Sequence, residues 1–131
     1  MSEIETRIED AMRRHRAGDV DGAVADLSEA LRREPRNVYA HNLLGFIHQS
    51  RTGDFDKAVG HFEMVVAESP DKRQKAYALT QIGSILFADK NDAETALERY
   101  EQAYKIYPLS QTCYVTSSLH HLLRNHDDAL R

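Results

Sequence analysis

The feature that most constrains this chain is the placement of its prolines. The only three, Pro35, Pro70 and Pro108, each stand 12 residues after an alanine, namely Ala23, Ala58 and Ala96. Four residues after each alanine comes a large apolar residue, Leu27, Phe62 or Tyr100, and seven after it Ala30, Val65 or Ala103. Offsets of four and seven mark one face of an α-helix. The prolines are 35 and 38 residues apart, so a repeating supersecondary unit has to be considered before any other architecture.

Upstream of each alanine lies a turn-like segment, Ala17-Gly-Asp-Val-Asp, Thr52-Gly-Asp-Phe-Asp or Lys90-Asn-Asp. Gly or Asn there supplies the left-handed conformation that ends one helix, and Asp caps the next. Each unit therefore reads as helix, tight turn, helix and proline, the proline stopping propagation by its missing N–H and its restriction of the preceding residue. The pattern predicts helices over 4–17, 20–33, 37–51, 54–68, 72–89, 92–106 and 110–124. Short connections make neighbouring helices antiparallel.

Leu44-Gly45 with Gly53-Asp54-Phe55-Asp56-Lys57-Ala58, Phe62, Val65 and Pro70 resembles the tetratricopeptide repeat signature. Ile82-Gly83 with Ala96, Tyr100, Ala103 and Pro108 repeats it, and Ala11 with Gly18-Asp19, Ala23, Leu27, Ala30 and Pro35 forms a first copy. The resemblance implies an all-α, right-handed superhelical solenoid of antiparallel helix hairpins. It divides a single domain over 1–131 into repeats of about 4–35, 37–70 and 72–108 and a partial repeat over 110–131. Gly45 to Ala58 and Gly83 to Ala96 are each one residue longer than Ala11 to Ala23, which places an insertion in two turns. Gly83 also lies 13 residues beyond Pro70, against 10 from Pro35 to Gly45, so the first helix of the third repeat is expected to be one turn longer.

In the family, one face of each first helix packs on the preceding repeat. The first repeat has Arg7, Asp10 and Arg14 there, where the second has His41, Leu44 and His48 and the third Leu79, Ile82 and Leu86. A polar outer face suits a terminal repeat, so Met1 is expected to be a natural beginning. Arg124-Asn125-His126-Asp127-Asp128-Ala129-Leu130 reads as another inter-helix turn, which makes the chain the N-terminal part of a longer protein. On that reading Tyr114, Val115, Leu119, Leu122 and Leu123 belong to a helix that is only partly covered, and Leu119, Leu122 and Leu123 offer an apolar patch through which a homodimer could form.

Bulk composition agrees with a folded module. The 131 residues are 41% hydrophobic and 29% charged with six glycines, a globular composition. The net charge of −4 argues against nucleic acid as a partner, because non-specific affinity comes from clustered Lys and Arg neutralising phosphates. The basic groups Arg13, Arg14 and Arg16, and Lys72, Arg73 and Lys75, stand close to Asp or Glu and read as solvated helix faces. A lone cysteine, Cys113, makes no internal disulfide, and a cytoplasmic setting is expected. No secretion leader and no membrane-spanning run are evident.

The nucleophiles and metal ligands fall into no catalytic pattern. His120-His121 with His126, and His41 with His48, lack metal-ligand geometry: adjacent helical residues point about 100° apart, and a separation of seven spans two turns. Asp19-Val-Asp21-Gly22 resembles the middle of a calcium loop, but Ala17 and Ser28 stand where ligands should. Cys113, seven residues from His120, has no activating surroundings. No phosphate loop, nucleophile elbow or zinc-protease motif occurs. The expectation is a chain with no catalytic residue, no metal and no cofactor.

What remains is the concave surface that the resemblance implies, lined by one stripe of each first helix: Ile8, Met12 and His15; Tyr39, Asn42, Phe46 and Gln49; Tyr77, Thr80, Ser84 and Phe87. These residues form the candidate peptide-binding groove, although aromatics at such spacing equally suit inter-helix packing. Helix 37–51 already has a core face in Ala40, Leu44 and Ile47, which leaves Phe46 for a second face. The partner would be a protein or peptide held by aromatic anchors, with Asn42 and Gln49 bonding its backbone. Family members that grip acidic chaperone tails use Lys and Asn, then Asn, then Lys and Arg. This chain has Ile8 and Met12, Leu43, and Tyr77 and Gln81 at those places, so that clamp is absent. The expected role is a protein-interaction scaffold. The alternatives are an N-terminal targeting or self-association domain of a larger enzyme such as a transferase, and a chaperone of secreted proteins.

Overall fold

The computed structural model describes residues 2–129, which form two compact units divided between Glu68 and Ser69. The first unit contains α1 (Glu3–Arg16), α2 (Val20–Arg33), α3 (Val38–Ile47) and α4 (Phe55–Glu68). The second contains α5 (Lys72–Ala88), α6 (Ala93–Ile106) and α7 (Ser110–Ala129). In the first unit α1 packs on α2, α2 on α3 and α3 on α4, and in the second α5 packs on α6 and α6 on α7. No strand occurs among the described residues.

Local sequence accounts for where the helices begin. Ser2, Asp19, Asn37, Asp54, Asp71 and Asp92 each accept a backbone N–H from the first turn of the helix that follows, satisfying donors that the helix cannot pair internally. The turns close as their residues require: Gly18 and Gly53 have φ of 89° and 72°, and Asn91 has φ of 52°. Asn is among the few side-chain-bearing residues that enter this region readily.

The two one-residue insertions are absorbed differently. The prediction of a regular helix over 37–51 is corrected: regular α-helix ends at Ile47, and His48–Thr52 form a π-helical turn before Gly53. Widening a turn to i→i+5 takes up one extra residue without breaking the helix. In the other hairpin, α5 ends at Ala88 and the extra residue lies in the loop that contains Asn91. Helix α5 has 17 residues against 14 in α1.

The alanine-centred register forms the interior. Ala23, Leu27, Ala30, Ala58, Phe62, Val65, Ala96, Tyr100 and Ala103 are all buried. In the first unit Ala11, Ala23, Leu27, Ala40, Leu44 and Ile47 form one cluster, with Ile8, Val20 and Val24 packed against it. In the second, Ala96, Tyr100 and Leu119 form a cluster that Val115 and Leu123 border.

The expectations for the last helix are corrected in two respects. Helix α7 does not stop at Arg124, for residues 125–129 continue it. From Ser110 to Ala129 there is no Gly or Pro to halt propagation, and Asn or Asp inside a helix costs only about 0.7 kcal/mol or less. Leu119 is not exposed but buried at 4% accessibility against Ala96 and Tyr100, and Leu123, one turn on, borders the same cluster. Leu122, rotated off that face, and Tyr114 remain exposed. Met1, Leu130 and Arg131, on which the expected chain ends rested, lie outside the described residues.

Candidate functional site

The stripe on α1 and α3 lies wholly within the first unit. On α3, Tyr39, Asn42, Phe46 and Gln49 recur at helical spacing, and Tyr39 and Phe46 are 70% and 41% exposed. On α1, Met12 is 43% exposed, while Ile8 and His15 are partly covered. The His15 ring meets Phe46 edge to face at 5.7 Å between centroids, with an interplanar angle of 85°. Phe46 therefore touches α1 through His15 and keeps part of its ring exposed.

Two polar atoms on this stripe have no partner. Asn42 Oδ1 and His15 Nδ1 are both buried without a hydrogen bond. Such an atom forgoes the water bonds that it would make outside, at about 1–3 kcal/mol. The stripe thus combines three accessible large apolar side chains with unused hydrogen-bonding capacity.

The stripe on α5 is more closed. Thr80 is completely buried: its hydroxyl donates to Ala76 O at 2.8 Å and lies 2.7 Å from Thr112 Oγ1 of α7. It is a packing residue between α5 and α7 and does not line an open groove. Ser84 Oγ accepts from Tyr100 Oη at 3.1 Å and is turned to α6. Tyr77 is half-buried, which pushes its phenol pKa up, and with Gln74, Tyr107 and Leu109 it borders a cleft of about 660 Å³. Phe87 borders a separate, mainly apolar cleft of about 350 Å³ with Tyr100, Val115, Leu119 and Leu122. Of the four α5 candidates, Thr80 alone is fully buried; Tyr77 and Ser84 are partly covered and Phe87 is exposed.

A group that sequence spacing did not bring together is the histidine chain of the first unit. His61 of α4 stands between His41 and His48: its Nδ1 is 2.9 Å from His41 Nδ1, and its ring stacks on His48 at 5.8 Å with an interplanar angle of 9°. Burial, followed by the neighbouring His41, His48 and Lys57, lowers the His61 pKa to about 4. Burial and then Lys57 lower that of His48, against an opposing pull from Asp54. These two imidazoles are neutral at pH 7. Among the described residues no three His, Cys, Asp or Glu side chains converge as a metal site would require. No helix among them is long and apolar enough to cross a membrane.

Known proteins match this arrangement at the level of the repeat. Residues 36–108 match the tetratricopeptide repeat. Over 70 residues the chain is 34% identical to the photosystem I assembly protein Ycf3 of Acaryochloris marina, a match spanning 53% of this chain and 42% of that protein. The aligned part is thus under half the length of that relative. Among solved structures, the N-terminal domain of stress-induced protein-1 from C. elegans superposes with a TM-score of 0.81 at 16% identity, covering 89% of this chain and 94% of that one. The first tetratricopeptide domain of Spaghetti, bound to an HSP90 peptide, superposes at 0.78 with 18% identity, covering 93% and 94%. At such identities the likeness is one of fold. With a repeat match over more than half its length, the chain belongs to the tetratricopeptide repeat family.

Proposed function

We propose that this chain is a protein-interaction module and that the α1–α3 stripe is its peptide-binding surface. The observation that carries this reading is the unpaired Asn42 Oδ1 on the helix face that also presents Tyr39 and Phe46. A bound peptide toward which the Asn42 amide turns gives this acceptor, buried and unpaired in the free protein, a backbone N–H to bond. Apolar peptide side chains then cover Tyr39 and Phe46, the kind of aromatic anchor that dominates binding energy. Lacking the family's cationic clamp, with Ile8, Met12 and Leu43 in those places, the stripe favours an apolar or aromatic segment over an acidic tail. In this reading the module performs no chemistry.

The names of its relatives support the class of partner. One is an assembly protein for photosystem I and the other is bound to an HSP90 peptide, so both are named for protein partners.

Selection of binders from a displayed random peptide library tests the reading. Selected peptides are expected to lose at least tenfold in affinity on Phe46→Glu and on Asn42→Leu, and to bind Asp21→Asn, exposed on α2, which contributes no residue to the stripe, as they bind the parent. Peptides that bind all three variants equally would place the site elsewhere.

A further inference from the structure

The first unit also contains a cleft of about 390 Å³ bounded by α2, α3, the π-helical turn and α4. Val24, Leu31 and Leu44 supply its apolar surface, and beside them Ser28 and Arg32 of α2, Lys57 and the rings of His48 and His61 supply polar groups. No carboxylate lines it, although the chain carries a net charge of −4. Clefts of 300 Å³ and above, apolar with a few convergent polar groups, are of the kind that hold small ligands.

The two cations are weakly committed. Arg32 pairs at 3.2 Å with Glu29, a carboxylate that Arg33 also approaches at 3.6 Å. Lys57 pairs with Asp54 at 3.6 Å. Both cations are exposed, and pairs of that kind contribute little and exchange readily.

The histidines add a defined proton position. Pro35 O can only accept, so His41 donates to it through Nε2–H at 2.8 Å. In the neutral form of His41 the lone pair is then on Nδ1 and accepts from the Nδ1–H of His61 across 2.9 Å. In that arrangement Nε2 of His61 is the unprotonated nitrogen. The groups around that ring are His41 and His48 from the α3 side, Lys57 on its own helix, Asp54 beyond His48, and the Arg32–Glu29 pair on α2.

We propose that this cleft is a binding site for an oxyanion carried on a short apolar body. The apolar body lies against Val24, Leu31 and Leu44, while Arg32, Lys57 and the Ser28 hydroxyl donate to the oxyanion. Its negative charge favours a proton on His61 Nε2, which converts that atom from an acceptor into a further donor. Binding is therefore coupled to proton uptake and tightens as pH falls. The site is separate from the α1–α3 stripe and does not depend on its role.

The probe is 1-hexanesulfonate, anionic at every pH used, with methanesulfonate and 1-hexanol as its charged and apolar halves, followed by calorimetry and by the ring-proton NMR signals of the histidines. Hexanesulfonate is expected to bind at least tenfold more tightly than either half, to gain several-fold in affinity between pH 7 and pH 5, and to raise the titration midpoint of His61. The exposed double substitution Arg32→Gln and Lys57→Gln is expected to abolish these effects while leaving the amide spectrum dispersed. If the double variant loses dispersion, the single Arg32→Gln protein gives the same decision through its loss or retention of affinity. Equal weak binding of all three probes, undiminished binding to the substituted proteins, or an unmoved His61 midpoint overturns the proposal.

Discussion

The ring of Tyr100 fills the space that a side chain at Gly83 would need: a Cβ there would lie 2.6 Å from Tyr100 Cε1. Gly45 and Phe62 stand in the same relation in the preceding repeat, at 2.9 Å. The glycine lets α6 bring an aromatic against the α5 backbone, and Tyr100 is buried to 4% accessibility with its hydroxyl on Ser84. Replacing Gly by Ala inside a helix gains up to about 1 kcal/mol of propensity, but overpacking a filled core costs about 1–3 kcal/mol. Gly83→Ala is therefore expected to be destabilising overall. A urea unfolding midpoint equal to that of the parent would show that the ring yields without cost.

The buried Thr80–Thr112 pair predicts a non-additive cycle. Thr80 donates to Ala76 O, so Thr112 donates to Thr80 Oγ1 across 2.7 Å. Thr80→Val leaves the Thr112 hydroxyl without an acceptor, at about 1–3 kcal/mol. Adding Thr112→Val removes the stranded group, and the double variant is expected to be more stable than Thr80→Val alone. Additive losses in denaturant titrations would mean that the two hydroxyls do not depend on each other.

Asn91 is the one described residue other than glycine with a positive φ, 52°. An alanine there would have to hold a left-handed conformation that costs roughly 1–2 kcal/mol. Asn91→Ala is expected to lower the thermal midpoint, and Asn91→Gly to leave it nearly unchanged. Equal midpoints for the two would mean that the turn relaxes into another shape.

Local rules made the helices legible in the sequence. The capping Asp and Asn residues, the left-handed Gly and Asn positions, and the alanine-centred faces act over four to seven residues, the range over which periodicity can be read. What was not legible depends on partners far away in the chain. Thr80 shares a helical stripe with Tyr77 and Ser84, and nothing near it shows that Thr112, 32 residues on, seals it. His61 lies 20 residues from His41, and only the packing of α4 on α3 joins them. An extra residue is detectable by counting, but spacing does not tell whether a π turn or a loop absorbs it. On the candidate stripe, Phe46 could be assigned to a second helix face from sequence, whereas its edge contact with His15 could not.

The histidine chain predicts how the fold responds to acid. In the unfolded chain His61 titrates near 6.5, and in the folded protein near 4. Above pH 6.5 both states are neutral at this residue and it adds no pH dependence. Between pH 6.5 and 4 the unfolded state takes up a proton that the folded state refuses, so stability falls with pH across that window and levels off below it. At about 1.4 kcal/mol per pKa unit, discounted for partial exposure, the loss is roughly 2 kcal/mol. His48, shifted in the same direction, adds to it. Carboxylates titrate mostly below pH 5, which makes the interval from 6.5 to 5 diagnostic. Urea midpoints of the parent are expected to fall through that interval and those of His61→Gln to fall less. Parallel curves for the two proteins would assign the acid sensitivity to groups other than His61.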